Sequence, residues 1–213
     1  MTKLKSKALT SFCVCAIIVL SGCATPTRNE GSKPSLPARN LDYAKVIEYY
    51  SAGKAAYSGF YNSFEFEGTI HNATVDRAIT DQQAKFYEWE ESKTQAELQK
   101  RAEERATKTT FFVSFFTPDT KNDNLSKDNS IWRVFLDVGG KRYAGKATKI
   151  RKLLTDLITT YFYHNRWSTA YLIEFSVPTR EVEFQSSSLT ITGPLGAKTV
   201  IFQPEDQESS GPL

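Results

Sequence analysis

Beyond residue 23 the sequence contains no cysteine: Cys13, Cys15 and Cys23 are the three thiols of a 213-residue chain. Whatever folds after them has no disulfide to constrain its unfolded state and must rest on a packed core. Histidine is as scarce, with His71 and His164 alone. Neither stands at ligand spacing from other Cys, His or carboxylate side chains, so the three or four converging ligands of a zinc site are not expected. No Gly-x-Ser-x-Gly elbow presents a nucleophilic serine, and the serines at 186–188 read as a solvated strand edge. Residues 119–130 have the look of a calcium loop, but its third, sixth and twelfth positions hold Lys121, Asn124 and Ser130. A hand-type loop wants an oxygen ligand, a glycine and a glutamate there, so an Asx-rich turn is the plainer reading. The stretch 193–199 fails as a phosphate loop. Ala197 precedes Lys198 where glycine is needed, and strand-forming Val200, Ile201 and Phe202 follow where a helix should begin. No cofactor and no metal are expected.

Long hydrophobic runs are missing too. The longest, residues 8–20, falls short of the roughly 20 residues that span a bilayer. Lys3, Lys5 and Lys7 precede it, and Leu20-Ser21-Gly22-Cys23 closes it. A basic start, an apolar run and small residues at a cut site make residues 1–22 an export signal. Leu20-Ser21-Gly22-Cys23 resembles the lipobox of bacterial lipoproteins. The resemblance implies that Cys23 is acylated, becomes the first residue of the mature chain and ties it to a membrane of the cell envelope. Ala24 stands where an Asp tends to retain such proteins in the inner membrane, which implies the outer membrane in a two-membrane source.

The export signal also explains the charge. The formal net charge of +3 comes from 27 basic and 24 acidic residues. Removing the three signal lysines leaves the two signs equal. Nucleic-acid binding needs clustered Lys and Arg on a basic domain, and none is expected here.

Residues 23–40 hold Pro26, Pro34 and Pro37 among polar residues and carry no apolar period. They read as a tether of at most about 60 Å. Residues 41–205 form one domain, and 206–213 read as a disordered tail. In 41–57, Tyr43, Val46, Ile47 and Tyr50 suit a helix capped by Asn40, while Val46, Glu48 and Tyr50 suit a strand equally well. Phe64, Phe66 and Ile70 alternate with polar residues as a half-buried strand.

Residues 72–108 change character, with eight acids, seven bases and no Gly or Pro. Charge pairs at i,i+4, such as Glu97–Arg101 and Lys100–Glu104, mark a water-facing helix. Val75, Ile79, Phe86 and Trp89 form one apolar stripe, out of phase with Leu98, Ala102 and Ala106. The segment about 73–108 is therefore one long helix or two broken near Ser92, where Ser92 and Gln95 suit a capping box.

Strand patterns then dominate. Residues 110–117 are apolar on both faces, and Trp132, Val134, Leu136 and Val138 share one face. Gly139-Gly140 suits a hairpin turn. Thr169 to Val177 alternate, Val182 and Phe184 alternate briefly, and Leu189, Ile191, Val200 and Phe202 make a last hairpin around 193–196. Between them Ile150, Leu153, Leu154, Leu157, Ile158 and Tyr161 follow helical spacing, with Thr148 as a cap. Seven or eight strands with turns between them give a mainly β, α+β fold. The expected architecture is an immunoglobulin-like β-sandwich with an inserted charged helical segment and one further amphipathic helix.

Two groups stand out as candidate binding residues. Tyr161, Tyr163, His164, Arg166 and Trp167 form the densest aromatic and basic cluster, the side chains found in binding hot spots. Phe86 and Trp89 put more aromatic surface on the charged helical segment than solubility requires. The leading expectation is a non-enzymatic binding or structural module whose partner is an envelope protein or cell-wall component. The other is a hydrolase or glycan-active enzyme with a site assembled from residues distant in sequence.

Overall fold

A computed structural model describes residues 43–204. The expected export signal, Cys23, Asn40, the expected tether and the expected tail lie outside the described residues. The fold is mixed α+β, built on two sheets in which every paired strand is antiparallel.

The ambiguous opening segment uses both of its options in succession. Helix α1 (Tyr43–Tyr49) buries Val46 and Ile47, and strand β1 (Ser51–Ser58) follows at once. β1 turns into β2 (Tyr61–Ile70), whose Phe64, Phe66 and Ile70 are buried as their alternation predicts. The charged segment is two helices, α2 (Ala73–Phe86) and α3 (Glu91–Arg105). Asn72 caps α2 by accepting the Val75 N–H at 2.9 Å. The capping box expected at Ser92 is not used, because α3 starts earlier, after Glu90, and Ser92 lies inside its first turn. Of the expected charge pairs, Glu97–Arg101 closes at 3.0 Å.

The chain returns as β3 (Thr109–Phe116), then a single 3-10 turn (Thr120–Asn122), β4 (Arg133–Val138) and β5 (Lys141–Ala144). Gly139 and Gly140 take φ of 56° and 74°, as the tight turn between β4 and β5 demands. In the loop after β3, Asp119 accepts the Lys121 N–H at 3.0 Å, an Asx turn.

The strongest helical spacing in the sequence forms a shorter helix than expected. Thr148 belongs to strand β6 (Lys146–Lys149), and helix α4 is confined to Leu154–Thr160. The reason is competition for backbone donors. β6 pairs along the edge of β7 (Thr169–Phe175), and the Ile150 N–H continues that ladder to the Ala170 carbonyl at 2.9 Å. Leu157 and Tyr161 are buried, whereas Leu153 is 72% exposed.

Val182 and Phe184 are a second correction. They lie in and just after a short helix, α5 (Thr179–Glu183), where Thr179 and Val182 are buried at helical spacing. The serines at 186–188 are a third. Ser187 is buried in β8 (Ser187–Gly193), an interior strand flanked by β4 and β9 (Gly196–Phe202).

The strand orders are β1-β2-β3-β7-β6 in one sheet and β5-β4-β8-β9 in the other. Phe66, Phe111, Val113, Phe115, Tyr171 and Ile173 share the inner face of the first sheet by register. Val134, Leu136, Leu189, Ile191 and Val200 share the inner face of the second. The two inner faces make one continuous apolar core. Phe112 points the other way, to the outer face of the first sheet, where it stacks on Tyr161 with centroids 3.5 Å apart. That second covered face explains why β3 is apolar on both sides.

Candidate functional site

Helices α2 and α3 fold back on each other and, with α4, flank an open cleft of about 800 Å³ over the outer face of the first sheet. Its floor includes His71 and Tyr161; Arg101 and Asp76 stand in its wall; Phe86, Tyr87 and Trp89 also line it.

The floor is organised by Asp76, in the first turn of α2, whose side chain is only 4% exposed. Its carboxylate accepts from His71 Nδ1 at 3.0 Å and from Arg101 at 3.2 Å, and from Arg105 as well. Burial on its own raises the Asp76 pKa. The hydrogen bond and charge of His71, with the two guanidinium groups, outweigh burial and bring it down to about 2. An ionised carboxylate only accepts, so Nδ1 carries a proton. The other ring nitrogen, Nε2, lies 2.8 Å from the Tyr161 hydroxyl. Asp76, His71 and Tyr161 thus form one hydrogen-bonded chain joining α2, the end of β2 and the end of α4. Burial drives the Tyr161 pKa well above its ordinary value, keeping the phenol neutral. Such a chain orients a hydroxyl and can hold or pass a proton at the Tyr161 oxygen.

The rim is aromatic. Phe86 and Tyr87 are 55% and 57% exposed, and Tyr87 stacks against Trp89 with centroids 6.2 Å apart. Lys93 Nζ sits 4.4 Å from the Trp89 ring. The turn between the helices is made at Glu88, whose φ of 48° is left-handed.

The seven candidate residues therefore divide. Phe86, Trp89 and Tyr161 line one cleft, although they come from α2, the inter-helix turn and the end of α4. Tyr163 and His164 instead tie the chain to the sheet. The Tyr163 hydroxyl bonds Thr69 at 2.6 Å, and His164 Nδ1 bonds Ser114 at 2.8 Å. Burial lowers the His164 pKa. Arg166 and Trp167 pair with each other, the guanidinium 5.1 Å from the ring, and Trp167 is 73% exposed.

The sequence raises His71 only as a zinc ligand and does not single out Asp76 or Arg105. A signal existed: Arg101 and Arg105 are one helical turn apart, so both can reach a single carboxylate. Which carboxylate depended on the α2–α3 turn. Asp123, part of the loop compared with a calcium site, accepts from Tyr171 at 2.7 Å and from Thr169. Among the described residues, no three His, Cys, Asp or Glu side chains gather as a metal-ligand set. Comparison with protein-family models, curated proteins and solved structures finds no match to this chain.

Proposed function

We propose that this chain is a lipid-anchored bacterial cell-envelope protein that binds a cell-wall component in the cleft between the α2–α3 hairpin and α4. The basic, apolar and lipobox segments in order support the location, with Cys23 as the attachment point and the outer membrane as its place in a two-membrane source. The observation that carries the binding reading is the convergence of Phe86, Trp89 and Tyr161 on one open cleft. The exposed Phe86 and Tyr87 rings, with half-buried Trp89, offer stacking surface for sugar rings and apolar groups, and buried Tyr161 contributes to the floor beneath them. Glu97, Lys100, Arg101 and Asp156 add charges of both signs to the lining, which suits a glycan bearing charged peptide. The sandwich is immunoglobulin-like in architecture alone on this reading. Two facing antiparallel sheets support it, while consecutive β1, β2 and β3 lie side by side rather than in the A-B-E-D order.

A second reading, an envelope hydrolase or glycan-active enzyme, is favoured by the Asp76–His71–Tyr161 chain on the cleft floor. Two assays test these readings. Labelling with a fatty-acid analogue should mark the wild-type chain and leave Cys23→Ser unmarked; label retained in the variant contradicts the anchor. The mature chain should co-sediment with purified cell wall and leave its fragment pattern unchanged. New fragments that vanish in His71→Ala would favour the enzyme.

A further inference from the structure

From the register of its strands, the β1–β2 hairpin extends well past the sheet that carries it. Glu65 pairs with Phe116, the last residue of β3, and β2 begins four residues earlier, at Tyr61. At about 3.3 Å per residue the tip projects roughly 13 Å beyond β3. It is aromatic and bare: Tyr57 is 64% exposed, Tyr61 81% and Phe60 fully. Residues 55–64 carry no charged side chain in a chain that is 24% charged. Gly59, with φ of 62°, lets the chain reverse at the tip.

The same end of the sandwich carries more apolar surface. Trp167 precedes Thr169, which pairs with Phe115 opposite Phe66. Leu195, 40% exposed, sits in the β8–β9 turn, whose Gly196 lies beside Phe64 and Ala56. Phe, Tyr and Trp side chains standing into water from a narrow, uncharged projection match what settles at a membrane–water interface, where a ring is buried and its polar group stays wet.

We infer that the β1–β2 tip is a membrane-contact element that inserts Tyr57, Phe60 and Tyr61 into the headgroup region of a lipid bilayer. The length of chain outside the described residues argues for that occupant. Tyr43 follows Cys23 by twenty positions, so a lipid on Cys23 would keep Tyr43 within about 70 Å of a bilayer, with the tip about one β1 length, roughly 26 Å, further along the chain. For that proximity the inference rests on the lipoprotein reading. Two signals, one acyl anchor and one apolar contact, hold a protein at a membrane far better than either alone.

The test separates the two ideas by leaving the lipid out. A chain starting at Ala24 keeps every described element and has no cysteine, so Phe60→Cys gives a single site for an environment-sensitive dye. Vesicles of phosphatidylethanolamine and phosphatidylglycerol should shift that dye to the blue, and brominated lipid should quench it. A dye on Lys141→Cys should not respond. Lys141 pairs with Val138, at the opposite end of the sandwich. In the unlabelled chain, Phe60→Ser with Tyr61→Ser should lower the fraction floating with vesicles by about tenfold or more. A dye at position 60 that stays open to iodide at millimolar lipid would overturn the inference. So would a blue shift that follows protein concentration without lipid, the mark of a second copy at the tip. Failure of Cys23 to take up fatty acid would leave this result standing.

Discussion

The two helical regions beside the cleft invert what their sequences advertise. Residues 72–108 are the most heavily charged stretch in the chain, yet Asp76 within them is 4% exposed and organises the cleft floor. Residues 150–161 have the cleanest apolar spacing, yet Leu154 and Ile158 are 41% and 40% exposed. In the first region partners distant in sequence converge on a carboxylate and make its burial tolerable. In the second the backbone up to Ile150 is drawn into edge pairing with β7, and the short helix that follows buries Leu157 while leaving Leu154 and Ile158 partly in water. Composition describes what a segment carries, and the neighbouring backbone decides which side of it is used.

The largest way to break that comparison is Asp76→Ala. It removes the common acceptor of His71, Arg101 and Arg105, leaving Arg101 with Glu97 alone and the mostly buried Arg105 guanidinium without this carboxylate, so it should cost about 3 kcal/mol. Urea unfolding would measure it; a loss under about 1 kcal/mol would mean that the floor does not depend on Asp76. Acid probes the same group without mutation. A folded pKa of about 2, below the ordinary carboxylate value, means that Asp76 stabilises the fold fully above the unfolded pKa. That contribution, about 2 kcal/mol, should fade as pH falls from about 4 towards 2. Asp76→Asn should flatten this part of the stability profile.

Tyr161→Phe is a finer cut, since it keeps the ring against Phe112 and deletes the hydroxyl facing His71. A loss of about 1 kcal/mol is expected in the same unfolding assay. The smallest effect belongs to the other region. Leu154→Ser and Ile158→Ser should each change stability by within about 0.5 kcal/mol. A loss of several kcal/mol would return α4 to the core and cancel the contrast.

Most strands were legible because their alternation survives translation into one buried face, as at Trp132, Val134, Leu136 and Val138. The break in the charged segment is legible as a phase shift between Ile79 and Leu98, and it falls at 87–90, a few residues before Ser92. What escaped were features set by distant pairing. β6 exists because β7 offers an edge, and Val182 with Phe184 is too short a pattern to separate period two from a turn of helix. Of the cleft, the aromatic residues were visible as excess surface. The Asp76–His71–Tyr161 chain was not, because it joins positions 85 residues apart between Asp76 and Tyr161.

The central claim is that the cleft is the binding site, and Phe86→Ala combined with Trp89→Ala tests it most directly. Phe86 is 55% exposed and Trp89 only half-buried, so the double variant should unfold within about 1 kcal/mol of wild type. Co-sedimentation of the two chains with purified cell wall should then show binding by the wild type and its loss in the variant at matched stability. Wild-type retention of cell wall by the double variant would contradict the account.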